Sequence, residues 1–219
     1  MIDAQSRATE YASAPRRTAL WIGGGFGATV AVAGLILAAK GTGESGVKFA
    51  ALMSARVAFL FFWPAYAGGA AARLFGPALS GLARHGREFG LAFAAALSVH
   101  LALVLWLFLI SAHPPVGPAV IVTFGLGALW LYALAAASLI PVGQVPSPKA
   151  LRIFRTAGLE YIALLFVYDF VLSPLRNGFS HPLEYLPFSL MIVVGVILRL
   201  VAWLRRRFAP AAATAIGSR

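Results

Sequence analysis

The side chains that could do chemistry are ionisable residues inside stretches that are otherwise apolar. They are Arg56, His100, Glu160, Asp169 and Arg199. A charged or titratable group is costly to remove from water, so proteins keep such groups where they pair, bind a ligand or move charge. These five residues are therefore the first candidates for function.

His100 has two competing interpretations. A neutral imidazole inside an apolar helix can hydrogen-bond to a carbonyl group of a neighbouring helix. It can also bind a metal or a haem iron, which neutral imidazole does well. The residue type and its surroundings alone favour the hydrogen bond.

The charged candidates differ in the partners they need. Arg56 keeps its proton, so it requires an anionic partner or water, and Asp169 or a haem propionate would serve. Glu160 and Asp169 are nine residues apart, roughly half a turn out of phase on a helix, so we expect them to face different neighbours. We expect Glu160 to be solvated one turn inside its helix end, and Arg199 to extend its head group toward the near surface.

The composition identifies the solvent around these residues. Of 219 residues, 60% are hydrophobic and 11% charged, with a mean hydropathy of +0.84. Soluble domains typically carry roughly a quarter charged residues, so the bilayer is the expected solvent. Since only helices satisfy their own backbone in lipid without closing a barrel, the predicted fold is an all-α integral membrane bundle.

Six segments reach the roughly twenty apolar residues that a helical span requires. The predicted spans are Thr18–Ala39, Phe49–Ala72, Phe89–Ile110, Val116–Ile140, Ala157–Leu175 and Tyr185–Leu204. Residues 1–17 are predicted to be a cytoplasmic N-terminal segment, 18–207 the transmembrane domain and 208–219 a disordered tail. Gly23 and Gly27 form a GxxxG pattern, which favours close helix approach but also arises by chance in a glycine-rich segment.

The positions of the basic residues predict the orientation. The net charge is +11, and lysine and arginine concentrate at alternate connections between apolar segments, as topology determinants do. This distribution places both termini in the cytoplasm and fits a bacterial inner membrane. It does not form the basic stripe with interleaved aromatics that nucleic-acid binding requires, so nucleic acid is not an expected partner.

Several chemistries are excluded by what the sequence lacks. Cysteine is absent, which removes disulfides, thiolate metal sites and cysteine nucleophiles. The glycine-rich phosphate loop, HExxH and GxSxG patterns are also missing, so hydrolytic chemistry has no support.

Two segments carry a resemblance to a known family. They are Ser54-Ala55-Arg56-Val57-Ala58-Phe59-Leu60 and Arg87-Glu88-Phe89-Gly90-Leu91-Ala92-Phe93, the second leading to His100 ten residues after its glycine. With the six-helix layout, this pattern resembles the ferric-reductase-like transmembrane domain family, which includes ferric reductases and NADPH oxidases. The resemblance is best over residues 49–109.

The resemblance implies a function and a cofactor. Members of the family hold b-type haem between their third and fifth helices and pass electrons across the membrane. It implies that His100 is an axial haem ligand, that His113 matches a second histidine of some branches, and that Arg56 lies near a propionate. Electrons would come from quinol or from a separate flavoprotein reductase and go to an external acceptor.

One departure from the family pattern leaves three interpretations open. The family's fifth helix carries two histidines, and the matching positions here fall on Thr156 or Ala157 and on Asp169 or Phe170. The first interpretation is haem ligated by His100 alone, or by His113 with His181. The second is a haem-free membrane subunit with a structural or partner-binding role. The third is a small transporter.

Overall fold

The computed structural model describes residues 4–140, 147–176 and 182–208, with side chains described for 16–140, 147, 149–175 and 184–208. The helices in this part of the chain are α1 (Ala4–Lys40), α2 (Glu44–Phe75), α3 (Ser80–Arg84), α4 (Gly86–Ile110), α5 (Pro118–Leu139), α6 (Pro148–Val167), α7 (Ser173–Arg176) and α8 (Pro182–Phe208). A 3₁₀ turn, Gly76–Leu79, joins α2 to α3, and a π-helical turn, Tyr168–Leu172, joins α6 to α7.

Six helical segments of the described chain are long and apolar enough to cross a membrane, and no β-strand occurs among those residues. The all-α prediction and the six spans are therefore confirmed. The spans are provided by α1, α2, α4, α5, α6 with the π-helical turn and α7, and α8. The predicted tail lies outside the described residues except for Phe208, which ends α8.

The connection between the second and third spans differs from the prediction. Helix α2 runs past the predicted end at Ala72 and stops at Phe75, because Gly76 takes φ 78°, a conformation that residues with a side chain rarely adopt. The Gly76 N–H bonds to the Ala72 carbonyl, and a short helical segment through Arg84 follows before α4.

The centre of the bundle is a cluster of phenylalanine rings from α2, α4, α6 and the π-helical turn. Phe59 lies 4.9 Å from Phe166 and 5.0 Å from Phe170 between ring centroids, and Phe62 lies 5.3 Å from Phe93. Pairs at such distances contribute about 0.5–1.5 kcal/mol each beyond area burial. This phenylalanine cluster joins the second, third and fifth spans into one body.

The first span packs through a glycine that the GxxxG pattern does not contain. A Cβ built on Gly25 would overlap the backbone of Ala92 in α4, whereas Gly23 and Gly27 face open space. The absence of a side chain at Gly25 lets the two helices approach at this point.

The two ends of the bundle differ in charge. At one end, here called the basic end, an Arg17 Nη2 atom lies 3.1 Å from His85 Nε2, and Arg87 donates to the Ser138 carbonyl at 2.9 Å. The basic end also holds Arg16, Arg73, Arg84, Lys149, Arg152, Arg155 and Arg205–Arg207. At the opposite end, Lys40 lies 4.5 Å above the Phe49 ring. The structure thus groups most of the described basic residues at one end, and the orientation of that end in a membrane stays a prediction.

Candidate functional site

The ionisable residues identified in the sequence fall into three separate places. Glu160 and Arg199 meet near the basic end. Arg56 and Asp169 lie within electrostatic reach of each other, toward the opposite end. His100 contacts a third position, on α2, through the Ala51 carbonyl.

Glu160 and Arg199 form an ion pair that also involves α2. Arg199 Nε donates to Glu160 Oε1 at 2.7 Å, and Arg199 Nη2 lies 2.5 Å from the same oxygen. The Tyr66 hydroxyl donates to Glu160 Oε2 at 2.8 Å, and Arg199 Nη1 donates to the Tyr66 carbonyl at 3.0 Å. The prediction that Glu160 is simply solvated was therefore incomplete, because its carboxylate binds two partners although its side chain is 46% exposed.

This ion pair lies in the wall of a cavity of about 1080 Å³ at the basic end. The second, fourth, fifth and sixth spans and the start of α4 contribute side chains to it. The polar lining residues are Tyr66, Arg73, Arg87, Ser138, Arg152, Arg155, Thr156, Glu160, Arg199 and Arg206. The apolar lining residues are Ala137, Leu139, Ile140, Leu151, Leu159, Val196, Leu200 and Trp203.

The lining of the cavity is strongly positive. Among its described residues are six arginines and one carboxylate, which gives a net formal charge of +5. Clefts lined by charge of one sign raise the local concentration of oppositely charged ligands. Guanidinium groups present paired N–H donors that match carboxylate and phosphate oxygens. The cavity therefore has the chemistry of an anion-binding site.

Arg56 occupies a second polar environment. Its side chain is 9% exposed, its Nη2 lies 3.6 Å from Glu184 Oε2, and its guanidinium lies over the rings of Tyr185 and Phe188 at 5.3 and 5.4 Å. Nε and Nη2 find no hydrogen-bond partner among the described residues. The nearest carboxylate is thus Glu184 of the sixth span, which the sequence prediction did not consider, while Asp169 remains within electrostatic reach.

Asp169 lies in the π-helical turn that interrupts the fifth span. Such single-turn π segments inside α-helices are frequent at functional sites. The neighbouring Phe170 is 1% exposed and joins the phenylalanine cluster. Glu160 and Asp169 have different partners, as their nine-residue separation predicts.

His100 contacts the second span. Its Nδ1 atom lies 2.9 Å from the Ala51 carbonyl oxygen and 3.1 Å from the Ser54 hydroxyl. This is the hydrogen-bonded arrangement that the residue type favoured. The same arrangement orients histidines that bind metals through Nε2.

The side chains present do not fit a haem between the third and fifth spans. That space is filled, because Phe93 of the third span lies 6.0 Å from Phe166 of the fifth, with Phe59 and Phe62 packed against them. The described residues contain no cluster of three or more metal-ligating side chains. The assignment of His100 as an axial ligand stays a prediction.

His113 does not join His100 in a common site. It lies in the connection between α4 and α5, where its side chain is exposed. His181, the proposed partner of His113, lies outside the described residues. Trp63 packs against the core of the bundle and donates Nε1 to the Met191 carbonyl at 2.5 Å.

Most residues of the cavity lining were not predicted from the sequence as functional residues. From the sequence alone, the charge pattern of Arg73, Arg87, Arg152, Arg155 and Arg206 predicts only the orientation of the spans. These five arginines lie at the ends of four different spans, which the sequence shows. Their convergence on one cavity depends on helix packing, which spacing does not reveal.

A scan of protein-family models, a search of curated proteins and a search of solved structures each found no match to this chain. Function is therefore inferred from the geometry of the cavity.

Proposed function

We propose that this chain is a multi-pass membrane protein that binds an anionic ligand in the cavity at its basic end. The single observation that supports this most strongly is the convergence of six arginines, against one carboxylate, on the described wall of one cavity. By the distribution of lysine and arginine, this end faces the cytoplasm. The membrane is a bacterial inner membrane, and no nucleic acid is involved.

The ion pair in the cavity wall supports a binding role. Glu160 uses both carboxylate oxygens, one for Arg199 and one for Tyr66. It therefore fixes one guanidinium in place but cannot neutralise the other five in the lining. An anion that enters the cavity supplies the missing negative charge.

The ferric-reductase-like function stays a prediction from the resemblance. It would involve haem b, quinol and a separate reductase or external acceptor. In a second form of this proposal, the protein transports the anion across the membrane through the whole bundle. It would require the phenylalanine cluster to open between the cavity and Arg56. Substrate flux in proteoliposomes that depends on Arg56 and Asp169 would identify it.

Cysteine labelling tests the proposal, since the chain has no native cysteine. Thr156→Cys places one thiol in the cavity wall, and Thr42→Cys places one in the exposed turn after α1 at the opposite end. We expect inorganic pyrophosphate or cardiolipin to slow maleimide labelling of Thr156→Cys and not of Thr42→Cys. Unchanged labelling of Thr156→Cys with both anions would overturn the proposal.

The same pair of variants reports the orientation. An impermeant maleimide added to intact cells stripped of their outer membrane should label Thr42→Cys alone. Labelling of Thr156→Cys in that experiment would place the basic end outside.

A further inference from the structure

One wall of the cavity is continuous with the surface that faces lipid. The side chains of Leu139, Val196, Leu200 and Trp203 line the cavity and are nevertheless 57%, 37%, 53% and 52% exposed. They lie in helices that are apolar and long enough to span the membrane. Exposed apolar side chains in such helices contact acyl chains, so the cavity opens laterally toward the bilayer.

The charged wall lies beside this apolar wall. Arg199 and Leu200 are adjacent on α8, and Arg206 follows Trp203 by three residues. Tryptophan is enriched at the depth of the lipid headgroups, where its ring contacts both apolar and polar groups. The position of Trp203 therefore places the nearby Arg206 at headgroup depth, with Arg199 about one helical turn deeper in the bilayer than Trp203.

We propose that the ligand of the cavity is a membrane phospholipid that carries more than one phosphate charge. Its phosphates bind the guanidinium groups, and its acyl chains lie against the apolar wall. This inference rests on the proposed function and specifies the ligand of the same site. Basic pockets between transmembrane helices on the cytoplasmic side bind such headgroups.

Two further observations favour a lipid over a small soluble anion. The cavity volume of about 1080 Å³ lies slightly above the range of roughly 300–1,000 Å³ typical of small-molecule pockets, so one phosphate would leave most of it empty. A lipid can also enter through the lateral opening beside the apolar wall, whereas a soluble anion has to enter from the aqueous end. The charge of +5 matches a headgroup with several negative charges better than one with a single charge.

Native mass spectrometry of the detergent-purified full chain tests this inference. The protein is titrated separately with cardiolipin, phosphatidylglycerol, phosphatidylcholine and inorganic pyrophosphate. The cavity variant is Arg155→Ala with Arg206→Ala, which removes two lining arginines. The control is Arg84→Ala with Arg205→Ala, which removes the same charge from exposed positions of the basic end outside the lining.

We expect cardiolipin to bind most tightly of the four ligands. The cavity variant should lose about tenfold or more in affinity for cardiolipin, because a tenfold change in the dissociation constant corresponds to about one good charge-assisted contact. The control should change affinity less than about twofold. Circular dichroism checks that both variants fold. A cavity variant that misfolds is replaced by Arg155→Gln with Arg206→Gln, which keeps most of the side-chain length.

The remaining outcomes separate this inference from the proposed function. Pyrophosphate binding that depends on the cavity arginines, without cardiolipin binding, would overturn the lipid assignment and leave the anion site standing. Equal loss of cardiolipin affinity in the cavity variant and the control would show attraction to the whole basic end and overturn the lipid assignment. No binding of any of these anions would overturn both.

Discussion

Arg199 of α8 joins two other spans through one guanidinium, donating to Glu160 of α6 at 2.7 Å and to the Tyr66 carbonyl of α2 at 3.0 Å. The same guanidinium lies 4.5 Å from the Tyr66 ring centroid. Because Arg199 also lines the cavity, an anion bound there competes with Glu160 for it. Ligand binding and the packing of these spans are therefore linked through one residue.

Glu160→Gln is expected to change affinity and stability in opposite directions. Removing the carboxylate raises the net charge of the lining from +5 to +6 and frees Arg199, so cardiolipin should bind several-fold more tightly. The lost charge-assisted hydrogen bonds should cost about 1–3 kcal/mol of stability, at the low end because the Glu160 side chain is half exposed. Lipid titration and thermal unfolding in detergent measure the two effects.

Tyr66→Phe is the matched comparison for that variant. It removes the hydroxyl that donates to Glu160 at 2.8 Å but leaves the charge of the cavity unchanged. Stability should fall by about 1 kcal/mol with affinity unaltered. Weaker binding in Glu160→Gln, or a large affinity change in Tyr66→Phe, would contradict the competition between Glu160 and the ligand.

Gly25→Ala is expected to destabilise the bundle through the contact between the first and third spans. The added Cβ would overlap the Ala92 backbone, which moves only if the helices separate, and such overpacking costs about 1–3 kcal/mol. Gly24→Ala is the control, since a Cβ there meets nothing within 4 Å. The melting temperature should fall for Gly25→Ala and not for Gly24→Ala. Equal melting temperatures of the two variants would mean that the first span packs differently.

Absorption spectroscopy separates the cavity account from the haem hypothesis. We expect the purified protein to show no Soret band that shifts on dithionite reduction, and added haemin not to titrate in, because phenylalanines fill the space between the third and fifth spans. A stoichiometric band lost in His100→Ala and kept in His113→Ala would instead establish His100 as a ligand.

Arg56→Met is expected to leave anion binding at the cavity unchanged. Arg56 pairs with Glu184, is not part of the cavity lining and is screened from it by the phenylalanine cluster. The dissociation constant for cardiolipin should stay within about twofold of the parent value. A tenfold change in Arg56→Met would show that the two charged regions act as one site, as a transport pathway requires.

The sequence predicted the spans better than it predicted the partners of their charged residues. Hydropathy and helix length depend on local composition, so the six spans and their approximate ends could be derived. The partners of Glu160 depend on which face of α8 meets α6. One of them, Arg199, lies 39 residues from Glu160 along the chain. The rotation of α1 about its own axis decides which glycine contacts the third span. A glycine-rich segment does not specify this rotation, so Gly25 could not be singled out from the sequence.

The arginine cavity was beyond sequence analysis for the same reason. Its charged residues extend from Arg73 to Arg206 along the chain, and each one alone fits the role of a topology determinant. Only the packing of four spans shows that they surround a common space.

The position of a bound phosphate shows most directly whether the cavity holds an anionic lipid. The measurement is a density map of the protein in a lipid bilayer disc that contains cardiolipin. We expect phosphate density inside the cavity, about 3 Å from the guanidinium groups of Arg155 and Arg199. If anion density lies only outside the cavity, for example beside Arg16 or Arg84, and acyl chains alone occupy the cavity, the cavity is not an anion-binding site.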